Sequence, residues 1–234
     1  MFYLIGLGAD LNSVSLEGLA ACKKCSRIYL EKYTVHLPYA VSDLEQVMGM
    51  KIHLLDRESV EKEMFVDEAK KKDIALLVYG SPLTATTHIS LLLKCKKEKI
   101  LYRVFHNASI FDSVAETGLQ MYKFGKVASM PTWKVDYKPK SFMQIVRENQ
   151  SIGAHSLILV DIGLSFQDAL RQLKESLETP VEKIVVCSMM GTSQQQILFQ
   201  PLKDLEKSKI AEPFCFIIPG TLHFLEEEML HTYS

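Results

Sequence analysis

The apolar run Ala75-Leu76-Leu77-Val78-Tyr79 passes into Gly80-Ser81-Pro82-Leu83-Thr84-Ala85-Thr86-Thr87-His88 and then into the helical spacing of Ile89, Leu91, Leu92 and Leu93. An unbroken apolar run suits a strand covered on both faces, and such strands belong to parallel sheets with helical crossovers. In open α/β sheets ligands bind beyond the carboxyl ends of the strands, so the segment from Gly80 to His88 stands where a ligand loop belongs. Gly80 permits a sharp turn or close backbone approach, while Pro82 fixes φ and removes a donor. Thr84, Thr86 and Thr87 supply hydroxyls and candidate helix N-caps.

The same alternation of strand and helix runs through the first half. Phe2–Leu7, Arg27–Leu30, Ile52–Leu55, Ile74–Tyr79 and Leu101–Phe105 read as strands. Helices are expected over Leu16–Cys25, from Ser42 with capping-box spacing to Glu45, over the charged surface segment Ser59–Lys72, and over Thr87–Lys97. The result is a βαβα pattern with a parallel sheet. Near Gly118–Lys126 the rhythm breaks, and irregular chain with short strand pieces continues through Pro139. Beyond it, Ser141–Glu148 and Phe166–Leu177 read as helices, and Ser156–Val160, Lys183–Cys187, Gln196–Phe199 and Phe214–Ile218 as strands. The strands near 183 and 196 can form a hairpin across Met189–Ser193, which makes the second sheet mixed. The fold class is therefore α/β in two domains, 1–113 and 114–234, the first sheet parallel and the second mixed.

With 234 residues and 47% apolar composition the chain can bury a large core. Its net charge of -1 offers no broad basic field for a nucleic-acid backbone, and basic runs such as Lys94–Lys99 read as the solvated end of a helix. No apolar run reaches membrane-spanning length. The start, Met1–Gly6, lacks the basic region and length of a signal peptide. Five scattered cysteines read as reduced thiols, so a cytosolic protein without nucleic-acid or membrane partners is expected. Cys22-Lys23-Lys24-Cys25 has metal or redox spacing, but a zinc site needs a second pair and none follows, so no metal is expected and both cysteines read as the end of an amphipathic helix.

Gly6-Leu7-Gly8 after the first strand invites a dinucleotide-binding reading, yet the third glycine of that fingerprint would fall at Leu11. The glycines then either let a ligand pack against bare backbone or simply end the strand. His106-Asn107-Ala108-Ser109-Ile110 follows another strand, and Asn107 and Ser109 suit a helix N-terminus or a set of backbone ligand contacts. His88 and His106 have no acidic or cysteine partner at recognisable spacing and read as hydrogen-bonding structural residues.

These segments, taken together and in order, carry a resemblance. Met1–Gly8, Cys25–Glu31, Ala85–His88, Tyr102–Ile110, Gly118–Gly125, Asp161-Ile162, Glu212-Pro213 and Gly220–His223 resemble the diphthine synthases, which have the tetrapyrrole methylase fold. The resemblance spans nearly the whole chain. It implies an S-adenosylmethionine-dependent methyltransferase with the cofactor in the cleft between two α/β domains, S-adenosylhomocysteine as product, and a homodimer. The implied substrate is the modified histidine of translation elongation factor 2, already carrying an aminocarboxypropyl group. Cofactor contacts carry over to Ala9, Ser81, Thr84, Ser109, Ile110, Val160, Met190 and Cys215; many of them can be made by backbone groups. The chain departs from the family where Gly80-Ser81-Pro82 replaces the usual Gly-Asp-Pro, exchanging an anionic acceptor for a hydroxyl. Cys215 also stands where some relatives carry histidine.

Because the transferred methyl arrives bonded to a positive sulfur, the protein's task is to position a neutral amine, and an apolar environment lowers an ammonium pKa by desolvation. No base is therefore assigned. Two other readings share the sequence: a methyltransferase acting on a small tetrapyrrole, and a binding protein that keeps contact with the elongation factor without turnover.

Overall fold

The computed structural model describes residues 1–234, which divide into two compact units, Met1–Asp112 and Ser113–Ser234. In chain order the first unit contains β1 (Phe2–Gly6), α1 (Leu16–Cys22), β2 (Arg27–Glu31), α2 (Val41–Met48), β3 (His53–Leu55), α3 (Arg57–Glu61), β4 (Ile74–Val78), α4 (Ile89–Lys97) and β5 (Tyr102–Phe105). The short helix α5 (Ile110–Ser113) follows. All five strands run parallel in the order β3-β2-β4-β1-β5.

Register explains why the central strands β1 and β4 carry no polar alternation. Phe2 pairs with Ile74 and Leu4 with Leu76, and these side chains share one face with Phe65, Val66, Leu91 and Cys95. Tyr3, Ile5, Ala75 and Leu77 share the other face with Ala21, Cys22, Leu44 and Met48. Helices on both sides leave no solvent face for polar residues.

Several helix ends differ from the sequence reading. α1 stops at Cys22 rather than Cys25, whose thiol donates to the Ala21 carbonyl at 3.3 Å. Ser42 does not cap α2: the cap is Ala40, and the Glu45 carboxylate instead accepts from the Ile52 amide at 2.8 Å. The expected helix over Ser59–Lys72 is broken at Glu63, which has φ +55°, into α3 and a 3₁₀ stretch over Met64–Lys70 that buries Phe65, Val66 and Ala69. α4 begins at Ile89 rather than Thr87 and is capped by His88 without a side-chain bond, so none of Thr84, Thr86 and Thr87 serves as its cap.

The second unit contains β6 (Ala128–Met130), α6 (Ser141–Ser151), β7 (Ser156–Val160), α7 (Phe166–Ser176), β8 (Ile184–Ser188), β9 (Gln196–Gln200), α8 (Leu202–Leu205), β10 (Phe214–Ile218) and α9 (Phe224–His231). Its sheet has the order β6-β7-β10-β8-β9 and is mixed: β6 runs parallel to β7, whereas β7, β8 and β9 make antiparallel pairs through β10 and the β8–β9 hairpin. One face packs Ile158, Val186, Phe214, Phe216 and Ile218 against Phe142, Val146, Phe166, Leu170 and Leu173 of α6 and α7. No helix is long and apolar enough to cross a membrane.

Candidate active site

Three loops leave the carboxyl edge of the first sheet side by side because β4, β1 and β5 are neighbours. The loops after β1 and β4 are tied directly: Gly8 N–H donates to Gly80 O at 3.1 Å, and Gly80 N–H donates to Gly8 O at 2.9 Å. This closeness depends on glycine. A Cβ on Gly6 would lie 2.6 Å from Gly80 O and 2.9 Å from Pro82 Cδ, and one on Gly8 (φ +72°) would lie 2.5 Å from Ser13 Cβ. The glycines therefore do more than end the strand: they let one loop backbone lie against the next.

Asn107 joins the third loop to the first. Its Nδ2 donates to Gly6 O at 3.1 Å and to Ser13 O at 2.8 Å, and its Oδ1 accepts from Ala108 N at 2.8 Å. From sequence Asn107 suits either a helix cap or a ligand contact, and neither reading reveals this brace, since its partners lie 101 and 94 residues earlier. Ser109 is the residue that organises the turn into α5. Its amide and hydroxyl both donate to Asp112 Oδ2, at 2.7 and 2.8 Å, and its Oγ accepts from Phe111 N at 3.2 Å.

The structure thus brings Ala9, Ser81, Thr84, Ser109 and Ile110 to one edge of the first sheet. Ser81 and Ser109 are buried, and Ala9, Thr84 and Ile110 half-buried. Thr84 N–H donates to Ser81 O at 3.2 Å, closing a turn. Ala85, the next residue, adopts φ +54°. Non-glycine residues seldom occupy that region, and such conformations concentrate at ligand sites. The buried hydroxyl of Tyr39 has no partner within the protein. Burial drives its pKa up, with Tyr79 and Asp10 near it adding to the shift. The Tyr79 hydroxyl is likewise pushed up to about 12 by burial and by Asp10.

In the second unit Val160, Met190 and Cys215 gather at one end of the mixed sheet. Val160 closes β7, and Met190 follows β8. Cys215 sits on β10 between them, opposite Leu159 and Cys187. Met189 N–H donates to Pro213 O at 2.8 Å and draws the turn after β8 onto the start of β10. The Cys215 thiol is buried and engaged with Cys187, which together with desolvation raises its pKa well above the ordinary thiol value.

A second polar centre lies in the same unit and was not singled out from sequence. The fully buried Glu226 carboxylate accepts from Gln120 N at 2.8 Å, His223 N at 2.7 Å, His155 Nε2 at 3.0 Å and the Lys123 ammonium. These donors hold its pKa down to about 2 against the opposing cost of burial. His155 Nδ1 accepts from Gly220 N at 2.9 Å, so the proton sits on Nε2 and the imidazole is neutral. The resemblance-bearing segments Gly118–Gly125 and Gly220–His223 are fastened together by this centre.

His106 is exposed, whereas His88 is buried. Burial raises the Cys22 thiol to about 12 and the Cys25 thiol to about 11, which opposes the thiolate that redox or metal chemistry would need.

The model of the Tetrapyrrole (Corrin/Porphyrin) Methylases matches residues 1–206. The chain belongs to the tetrapyrrole methylase family. Within it, the chain is 37% identical to a diphthine synthase of Methanocaldococcus jannaschii, over 98% of this chain and 97% of the relative. It is 35% identical to a diphthine methyl ester synthase of Schizosaccharomyces pombe, over 100% of this chain and 94% of that protein. A crystal structure of a diphthine synthase superposes with a TM-score of 0.91 at 28% identity, covering 100% of this chain and 95% of the other. As a tetrapyrrole methylase of the diphthine synthase branch, the chain is an S-adenosylmethionine-dependent methyltransferase.

The first-unit edge fits such a cofactor by the chemistry it displays. Side chains at Gly6 and Gly8 are absent where the loops lie close, and the hydroxyls of Ser81 and Thr84 are hydrogen-bonding groups of the kind that a nucleoside and an amino-acid headgroup require, while the Ser109 amide and hydroxyl are already engaged with Asp112. Ser81 offers a hydroxyl at this edge and no charge.

Proposed function

We propose that this methyltransferase modifies the aminocarboxypropyl-bearing histidine of translation elongation factor 2, transferring several methyl groups in the making of diphthamide. The observation that carries the reading is kinship with diphthine synthases at 35–37% identity, over 98–100% of this chain and 94–97% of the relatives. On this reading Ala9, Ser81, Thr84, Ser109 and Ile110 hold S-adenosylmethionine from the first unit, and Val160, Met190 and Cys215 of the second unit serve the same cofactor. The active species is a cytosolic homodimer, and S-adenosylhomocysteine is released.

The bound cofactor supplies a methyl group on a positive sulfur. What the chain supplies is position. The mutual Gly8 and Gly80 hydrogen bonds and the Asn107 brace fix three loops before any ligand arrives, which reduces the ordering cost of binding. The incoming amine must be neutral to attack, and removal of water from it on binding favours the uncharged form. Its proton leaves to solvent after transfer, so no side chain needs to act as a base.

Purified protein is incubated with isotopically labelled S-adenosylmethionine and elongation factor 2 isolated with the unmethylated intermediate, and the modified peptide is weighed. Successive methyl increments on that peptide are expected, and their final number separates a trimethylated product from one with an additional methyl ester. Absence of label on the factor, with cofactor binding demonstrated and a relative active in parallel, refutes the substrate.

A further inference from the structure

His88 has no solvent exposure to speak of, at 1%, and its two ring nitrogens are both engaged. Nδ1 lies 3.1 Å from the Pro82 carbonyl oxygen, and Nε2 lies 3.3 Å from the Tyr33 hydroxyl. A carbonyl can only accept, so the ring proton is on Nδ1 and Nε2 accepts from Tyr33. Desolvation lowers the imidazole pKa, which keeps this neutral form despite Glu31 nearby. The Pro82 carbonyl also accepts from Thr86 Oγ1 at 3.0 Å, so both of its lone-pair positions are occupied. Pro82 is thereby held on a segment that lacks one backbone donor, between Ser81 and the half-buried Thr84.

Tyr33 is itself anchored at the end of β2. Glu31, 1% exposed, accepts from the amides of Tyr33 and Thr34, each at 3.1 Å, and from the Thr34 hydroxyl. Glu31 therefore fixes the backbone of Tyr33 at one strand end, and the Tyr33 hydroxyl in turn holds His88, whose Nδ1 holds the carbonyl that shapes the loop of the neighbouring strand β4.

We propose that His88 is a positioning residue for the methyl transfer, presetting the Ser81–Thr84 loop by donating from Nδ1 to Pro82 while Tyr33 fixes its ring. The part of this proposal that concerns the cofactor rests on the assignment of that loop to S-adenosylmethionine; the part that concerns loop order does not. His88→Asn and His88→Gln separate the two ring nitrogens, since the asparagine amide nitrogen falls near the place of Nδ1 and that of glutamine near Nε2. Two readouts are taken on each folded variant: hydrogen exchange of the peptide spanning 80–88 in ligand-free protein, and calorimetric affinity for S-adenosylhomocysteine.

His88→Asn should keep slow exchange and an affinity within about threefold of wild type, whereas His88→Gln should exchange faster in this peptide and bind about tenfold more weakly, the scale of one lost hydrogen bond. Tyr33→Phe removes only the hydroxyl that fixes the ring and should loosen the same peptide by a smaller amount, so it tests the relay where a His88 variant fails to fold. Equal behaviour of the asparagine and glutamine variants, or unchanged exchange in Tyr33→Phe, overturns the proposal. Loss of exchange protection in His88→Gln with no cofactor binding by wild-type protein would sustain the loop device and reject the cofactor assignment.

Discussion

Glu226→Gln is the perturbation that tests the buried centre of the second unit most directly. The carboxylate is fully buried and receives two backbone amides, an imidazole N–H and the Lys123 ammonium. Glutamine keeps the shape but replaces one acceptor oxygen by a donor, so at least one N–H is turned toward another N–H, and Lys123 loses its counter-charge. Leaving one member of a buried ion pair uncompensated costs about 3–5 kcal/mol. Lys123 keeps its 2.7 Å bond to Thr221 O and is about a quarter exposed, at 23%, so water recovers part of that cost. The expected loss at pH 7 is therefore about 3 kcal/mol. The pH dependence has a definite sign. A carboxyl whose folded-state pKa is about 2, against 4.5 ordinarily, contributes stability that is complete above the unfolded value and disappears as pH falls toward 2. Urea unfolding of wild type and variant, followed by circular dichroism at a series of pH values from 7 to 3, should show a gap that is constant down to about pH 5 and narrows below it. A gap below about 1 kcal/mol at pH 7, the size of an exposed pair, or one that stays constant down to pH 3, would refute the reasoning.

Asn107→Ala removes both donors to Gly6 O and Ser13 O and should destabilise the protein by about 2 kcal/mol while weakening S-adenosylhomocysteine binding several-fold in calorimetry; unchanged affinity would show that the brace does not shape the site. Gly6→Ala places a Cβ against Gly80 O and should cost about 1–3 kcal/mol and reduce cofactor affinity, whereas Gly49→Ala, which meets open space at φ +67°, should cost only about 1 kcal/mol and leave affinity unchanged. If both variants bind alike, the close approach of the loops is irrelevant to the ligand. Raised thiol pKa values of about 12 and 11 mean that the thiolates of Cys22 and Cys25 appear only as pH rises toward those values, so iodoacetamide at pH 8 should label the native protein far more slowly than the urea-unfolded chain. Rapid native labelling of both, read by intact mass, would restore a reactive role for the pair.

The extent to which function was legible in the sequence follows from the range of the interactions involved. Uninterrupted apolar runs at Phe2–Leu7 and Ile74–Tyr79 determine buried parallel strands, because a strand with helices on both faces has no place for polar residues. The turn residues after them mark the ligand edge for the same local reason, and the ordered motifs from Met1–Gly8 to Gly220–His223 identify the family. Helix ends proved less determinate: Ser42 and Glu45 have the spacing of a capping box, yet Glu45 is drawn to Ile52, and the charged segment after Ser59 breaks at Glu63 so that Phe65 and Val66 can reach the sheet. Tertiary structure alone decided the partners of the polar residues. Asn107 reads locally as a cap, His88 as an isolated histidine and Glu226 as one acid among three in a row, and nothing in their neighbours distinguishes them. Their roles come from groups 101, 55 and 71 residues away at Gly6, Tyr33 and His155. A hydrogen bond is satisfied by position and direction in space, and once folding removes water from a polar group, the chain segment that happens to face it determines what that group does.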